Sequence, residues 1–177
     1  MQFHNREEAA EKLAEQLMPY RGQHPLILAI PRGAVPMGKI LAERLQGDLD
    51  VVLVHKLGAP DNPEYAIGSV AEDGTTMITD PAYREDMQHV ATEKAAQLQV
   101  LHRRRQLFTP VRPSIDPQDR IVIVVDDGIA TGSTLLAALR ALRSCKPRKI
   151  IVALGIAPRD TLDRIRPEVD QVVCLST

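Results

Sequence analysis

The sequence predicts an α/β protein: a doubly wound, mainly parallel five-stranded sheet with helices on both faces, plus a small antiparallel hairpin and flexible loop. Three observations predict it. Five apolar runs, at residues 25–30, 50–56, 121–125, 149–157 and 170–175, are continuous rather than alternating, as strands buried on both faces must be. Segments of helical pattern separate most of these runs, which is the alternation of a parallel sheet. The chain has 177 residues, the length of one domain and enough to bury a core without staples. Residues 1–177 are therefore read as a single domain.

Each element has a local reason. Asn5 followed by Glu8 forms a capping-box pattern, with Ala9, Ala10, Leu13, Ala14 and Leu17 on one helical face and Gly22 as a stop. After the first run the chain turns through Pro31, Arg32 and Gly33 into a helix ending near Gly47. The run 50–56 reads as a second strand. A polar loop with two prolines follows, "LGAPDNPEY", and then "AIGSV" and "TTMIT" separated by "AEDG", a hairpin pattern. Residues 83–108 read as a charge-rich helix and 110–117, with three prolines, as a rigid connector. A helix follows the third run, and a shorter one near 161–165 precedes the last. Ligands of such folds sit at the carboxyl ends of the strands. That expectation puts residues 31–34, Lys56 and residues 126–134 on one rim.

Composition excludes several classes. The formal net charge is −1, whereas a general nucleic-acid binder carries a basic surplus. "HRRRQ", residues 102–106, reads as the solvated face of a helix. The longest apolar run, 150–157, is too short to span a bilayer, and the N-terminal stretch lacks a signal-peptide apolar region. No nucleic acid and no membrane are expected as partners, and the expected location is cytoplasmic. Cys145 and Cys174 read as buried free thiols.

The stretch "VIVVDDGIATGST", residues 122–134, carries the chemistry. A strand enters a loop of small and hydroxyl residues that opens a helix. Unpaired N–H groups and the helix dipole favour an anion there, and Thr131, Ser133 and Thr134 add hydroxyl donors. No Lys follows Gly132, so this is not a Walker loop. Asp126 and Asp127 would repel a phosphate. They suit what lies beside it: ribose hydroxyls, or a sugar carbon that becomes cationic. A ribose 5-phosphate fits the whole stretch. Acidic residues at strand ends are common, however, and paired acids hold Mg2+ in response-regulator-like folds.

The thirteen-residue stretch resembles the ribose-phosphate signature of type I phosphoribosyltransferases. "AIPRGAVPMG" (29–38) looks like their pyrophosphate loop, and "VLVHKLGAP" (52–60) like the strand end that carries a lysine. "HKLGAPDNPEYAIGSVAEDG" (55–74) is similar to a bacterial group of phosphoribosyltransferases without assigned base specificity. The resemblance covers nearly the whole chain. It implies phosphoribosyl pyrophosphate and a nucleobase-like acceptor as partners, Mg2+ as cofactor, and displacement of pyrophosphate by a nitrogen nucleophile through an oxocarbenium-like transition state. Asp126 and Asp127 would hold the ribose hydroxyls, favour the developing positive charge, and meet the metal indirectly through ribose or water. Ala130, Thr131, Gly132, Ser133 and Thr134 would bind the 5-phosphate. Arg32 and Gly33 would receive pyrophosphate, and Lys56 would neutralise it as it leaves. Lys56 reads equally well as a solvated strand end. Residues 57–69, within a flexible region 57–80, would close over the site. A non-proline cis peptide is implied at Pro31–Arg32. A homodimer is compatible with this reading.

The sequence also departs from the family pattern. Relatives acting on 6-oxopurines have an Asp where this chain has Ala130, and a Lys near the position of Glu168, so hypoxanthine–guanine specificity is disfavoured. Base-binding patterns of the adenine and orotate types are not evident. The base-stacking segment that relatives carry after the last strand is not found before Thr177. An incomplete hood, with an open groove beside residues 174–177, is therefore expected. The alternative to a transferase is a non-catalytic regulatory protein of the same fold that binds phosphoribosyl pyrophosphate or nucleotides.

Overall fold

The computed structural model describes residues 3–108 and 113–177; residues 110–112 of the expected connector lie outside them. In chain order the helices and strands are α1 (Arg6–Gln16), β1 (Leu26–Ala29), α2 (Val35–Leu45), β2 (Asp48–Val51), β3 (Val54–Gly58), β4 (Ala66–Ala71), β5 (Thr76–Ile78), α3 (Met87–Phe108), β6 (Ile121–Gly128), α4 (Ser133–Ser144), β7 (Lys149–Ile156), α5 (Arg159–Ile165) and β8 (Gln171–Ser176). They fall into two compact units. One contains the chain up to Val52, Ile115–Gly132 and Leu142–Thr177; the other contains Leu53–Ser114 and Ser133–Ala141.

The first unit is built on a five-stranded sheet of order β2-β1-β6-β7-β8, parallel at every pairing. On one face Ile27, Ala29, Ile123, Val125, Ile151 and Ala153 join Leu13 of α1 and Met37 and Leu41 of α2 in a buried core. The opposite side chains, including Leu28, Val122, Val124, Ile150 and Val152, are buried as well. Burial on both faces is why the runs are continuous in the sequence. At the start of α1 the Asn5 side chain accepts from the Glu8 N–H at 2.8 Å. The Glu8 carboxylate reaches one residue further back than a capping box requires, to the His4 N–H at 2.7 Å. The helix ends at Leu17 rather than at Gly22, because Pro19 follows and cannot continue an α-helix. Neither cysteine is in a disulfide, and both are half-buried rather than buried.

The run 50–56 is not one strand. β2 pairs with β1, and the Val52 N–H still reaches the Ala29 carbonyl at 3.0 Å. The Leu53 carbonyl then accepts from Glu72 N–H at 3.3 Å, and β3 pairs antiparallel with β4. An apolar run records burial, not the partner strand, so the change of sheet leaves no mark in it.

The second unit holds the antiparallel sheet β3-β4-β5. The expected hairpin is β4–β5, with Ser69 opposite Met77, and β3 adds a third strand. Helix α3 packs on β3 and β4. It is pinned by Arg105, whose guanidinium donates to both carboxylate oxygens of Glu72 at 2.8 and 2.7 Å, and by the Glu93 carboxylate, which accepts from Gly58 N–H at 3.1 Å. Much of the region expected as a flexible loop, 57–80, is therefore paired strand. The β3–β4 connection is compact, closed by Ala59 N–H to Tyr65 carbonyl at 3.0 Å. Among the described residues no helix is long and apolar enough to cross a membrane.

Candidate functional site

The strand order defines the place. From β1 the chain crosses to β2 on one side, and from β6 it crosses to β7 and β8 on the other. The carboxyl ends of β1 and β6, which are hydrogen-bonded neighbours, thus flank the topological switch point where ligands of open α/β sheets bind. Residues 30–34 leave β1 there, and Asp126, Asp127 and Gly128 end β6. The two segments touch. The Ile30 N–H donates to the Val125 carbonyl at 3.0 Å, and a Cβ added to Gly33 would fall 2.5 Å from Asp127 Oδ2. Only a residue without a side chain leaves room for that carboxylate. The Pro31–Arg32 peptide bond is cis, the geometry the resemblance implies. Arg32 is exposed.

The two aspartates differ although they are adjacent. Oδ1 of Asp126 accepts from the Asp127 N–H at 2.8 Å, and Oδ1 of Asp127 accepts from the Gly128 N–H at 3.0 Å. Arg6, in the first turn of α1, donates to Asp127 Oδ2 from Nε at 2.7 Å and from Nη2 at 2.6 Å. Burial, and then the hydrogen bond and charge of Asp127, push the Asp126 carboxyl up to about 7. Burial acts the same way on Asp127, but Arg6 and the hydrogen bond from Asp126 outweigh it and hold Asp127 below the usual carboxylate range. Near neutral pH the pair thus offers one firmly ionised carboxylate and one that readily keeps its proton.

Nothing local in the sequence announces Arg6, since its partner lies more than a hundred residues away. Arg6→Gln is expected to raise the pKa of the Asp127 step, which carboxyl-carbon NMR titration reads directly. Stability should change by under about 1 kcal/mol, as for exposed ion pairs. An unmoved titration would mean that Arg6 does not hold the carboxylate in solution.

The loop after β6 is held from below. Ile129 N–H donates to the Ile156 carbonyl at 3.1 Å. Gly132 has φ 70° and ψ 10°, a left-handed conformation that suits glycine. On α5, Thr161 Oγ1 donates to the Ala130 carbonyl at 2.8 Å, and the Arg164 guanidinium donates to the Thr131 carbonyl. The chain then enters α4 at Ser133 with no side-chain cap. Its first-turn amides and dipole favour an anion. Thr131, Ser133 and Thr134 are exposed.

Contrary to expectation, Lys56 does not lie at the end of a parallel strand. It is on β3 of the second unit, where its Nζ pairs with Glu64 Oε2 at 2.8 Å. That ion pair holds the Glu64 carboxyl below the usual range. Among the described residues no group of three or more His, Cys, Asp or Glu side chains is arranged to hold a metal. Among the described residues, a cation at the switch point would therefore find the Asp126–Asp127 pair and no third acidic ligand.

These loops leave the sheet at a topological switch point, where open α/β folds bind their ligands. The model described as "Phosphoribosyl transferase domain" matches residues 2–176, and the chain belongs to that family. Two Mycobacterium tuberculosis proteins, from strains CDC 1551 and H37Rv, are each provisionally named a phosphoribosyl transferase; each is 39% identical over 178 residues. The match covers 99% of this chain and 40% of theirs, so the chain spans well under half the length of these relatives. The crystal structure of TT1426 from Thermus thermophilus is 40% identical, with a TM-score of 0.88 over 100% of this chain and 85% of that one. A Staphylococcus aureus hypoxanthine phosphoribosyltransferase shares the fold at 14% identity, with a TM-score of 0.53 over 97% of this chain and 74% of that one.

Proposed function

We propose that this chain transfers the ribose 5-phosphate group of phosphoribosyl pyrophosphate to a nitrogenous base, releasing pyrophosphate, with Mg2+ as cofactor. The observation that carries this reading is the seat of the Asp127 carboxylate against Gly33 at the switch point. It brings the acidic pair, suited to ribose, beside the turn suited to pyrophosphate. The loop suited to phosphate continues directly from the acids.

In this reading the 5-phosphate lies on residues 130–134 and accepts hydrogen bonds from their amides and hydroxyls. Asp127, ionised, accepts from a ribose hydroxyl. Asp126 can accept or donate, according to its proton. The lone pair of the base nitrogen forms the new bond to the anomeric carbon. The bond from that carbon to the pyrophosphate oxygen breaks, and its electrons leave with pyrophosphate. Positive charge that grows on the sugar is favoured by the ionised Asp127 carboxylate already in place, and by Asp126 once it has lost its proton. Arg32 and the Gly33 amide receive the leaving anion. The assignment of Lys56 to that anion rests on the family resemblance. Mg2+ fits the donor set, because it commonly takes one or two carboxylates and completes its shell with substrate phosphates and water. Asp126 and Asp127 would meet it through water or ribose, and it would supply charge neutralisation to the pyrophosphate.

The test is pyrophosphate release from phosphoribosyl pyrophosphate with Mg2+ across a panel of purine, pyrimidine and other nitrogen bases, with donor binding measured by calorimetry. Release that requires a nitrogen base is expected, with little discrimination among bases. Donor binding without release on any base would instead make the chain a sensor of the sugar donor, and absence of donor binding would remove the reading altogether.

A further inference from the structure

We propose that Thr161 and Arg164 of α5 are positioning residues for phosphate: they hold the loop after β6 so that its amides face an anion. The proposal rests on the reading of that loop as the 5-phosphate site. Three observations support it. Thr161 Oγ1 donates to the Ala130 carbonyl at 2.8 Å. The Arg164 guanidinium, one helical turn further along, donates to the next carbonyl, that of Thr131. A Cβ added to Gly132 would fall 2.8 Å from Thr161 Cγ2, so the same threonine packs its methyl group against the glycine that ends the loop. One side chain thus contributes its hydroxyl to the loop's start and its methyl to its end.

The consequence follows from peptide geometry. In a planar trans peptide the carbonyl of one residue and the N–H of the next point in opposite directions. Drawing the Ala130 and Thr131 carbonyls toward α5 turns the N–H groups of Thr131 and Gly132 to the far side. Without these anchors the two peptides could rotate, and an anion would meet carbonyl oxygens as often as amides. Thr161 is 1% exposed and is held in place by the helix. Arg164 is exposed and also brings positive charge to the loop. Neither needs to touch the ligand.

The experiment compares Thr161→Val, Thr161→Ser and Arg164→Met with the wild-type chain. The probes are ribose 5-phosphate and inorganic phosphate, measured by calorimetry, with thermal melting alongside. Valine keeps the methyl against Gly132 and removes the hydroxyl. Thr161→Val is expected to weaken ribose 5-phosphate about tenfold, the scale of one buried hydrogen bond lost, and Thr161→Ser to restore affinity. If the chain turns over, KM for the sugar donor should rise in the valine variant with kcat little changed. Arg164→Met, at an exposed site that does not endanger folding, should weaken both probes as well. Valine and methionine variants that bind ribose 5-phosphate like the wild type, even with lowered melting temperatures, would reduce both residues to a structural role and overturn the proposal. A wild-type chain that binds ribose 5-phosphate but releases no pyrophosphate would sink the transferase reading while the variants still decide this one. A wild-type chain that binds neither probe would overturn both.

Discussion

Replacing Asp126 and Asp127 together by Asn is expected to weaken binding of phosphoribosyl pyrophosphate on the order of 10–100-fold, the range for hydrogen bonds that lose their charged partner, while the fold survives. Asn preserves shape and still accepts from the Asp127 and Gly128 N–H groups where Oδ1 does now. What disappears is the negative charge beside the ribose. Turnover should fall further than binding, because charge on the sugar is greatest in the transition state. The single Asp126→Asn variant isolates the electrostatics, since its amide mimics the protonated carboxyl. The folded chain holds the Asp126 proton up to about pH 7, whereas an unfolded carboxyl releases it near 4. Between those limits the folded state binds more protons than the unfolded one. Stability contributed by this group is thus full below about pH 4, falls as pH rises and is lost above about 7. Asp127, depressed by Arg6, acts in the opposite sense and loses its contribution as pH falls through its folded value. Asp126→Asn should therefore raise the melting temperature more at pH 8 than at pH 4. An equal effect at both pH values would mean that Asp126 is ionised like an ordinary carboxylate. Unchanged donor affinity in the double variant would take both residues out of the site.

Gly155→Ala is expected to cost about 1–3 kcal/mol of stability, as overpacked interiors do, and to damage the site as well. On β7, Gly155 lies between Leu154 and Ile156, which register with Asp126 and Gly128. A Cβ there would press into the Asp127 carbonyl oxygen, well inside van der Waals contact, and would lie 3.3 Å from the Phe3 ring. The obstacle is backbone, so it cannot rotate aside as a long side chain would. The end of β6 must move, carrying Asp126, Asp127 and the loop that follows. Denaturant midpoints should fall, and affinity for ribose 5-phosphate should fall with them. A variant as stable as the wild type, with unchanged affinity, would show that the strand ends tolerate the shift and that the placement of Asp127 is not finely set.

The sequence determined the parallel sheet, because burial on both faces writes itself into continuous apolar runs such as 121–125 and 149–157. It also determined the β4–β5 hairpin through its turn residues, and the strand–loop–helix unit of residues 122–134, where a period change and a glycine lie next to each other in the chain. Such features are local, and local pattern reports burial and backbone preference well. Only the tertiary structure decided which elements meet. The run 50–56 gave no sign of passing from one sheet to another, since an apolar run is compatible with pairing in either sheet. The difference between Asp126 and Asp127 depends on Arg6, more than a hundred residues away, and charge complementarity at that separation has no sequence period. Thr161 and Arg164 looked like ordinary residues of a short helix until the crossover from β7 to β8 set them beneath Ala130 and Thr131. The same holds for Gly33, whose missing side chain matters only because the strand order makes β1 and β6 neighbours and so brings the Asp127 carboxylate against it.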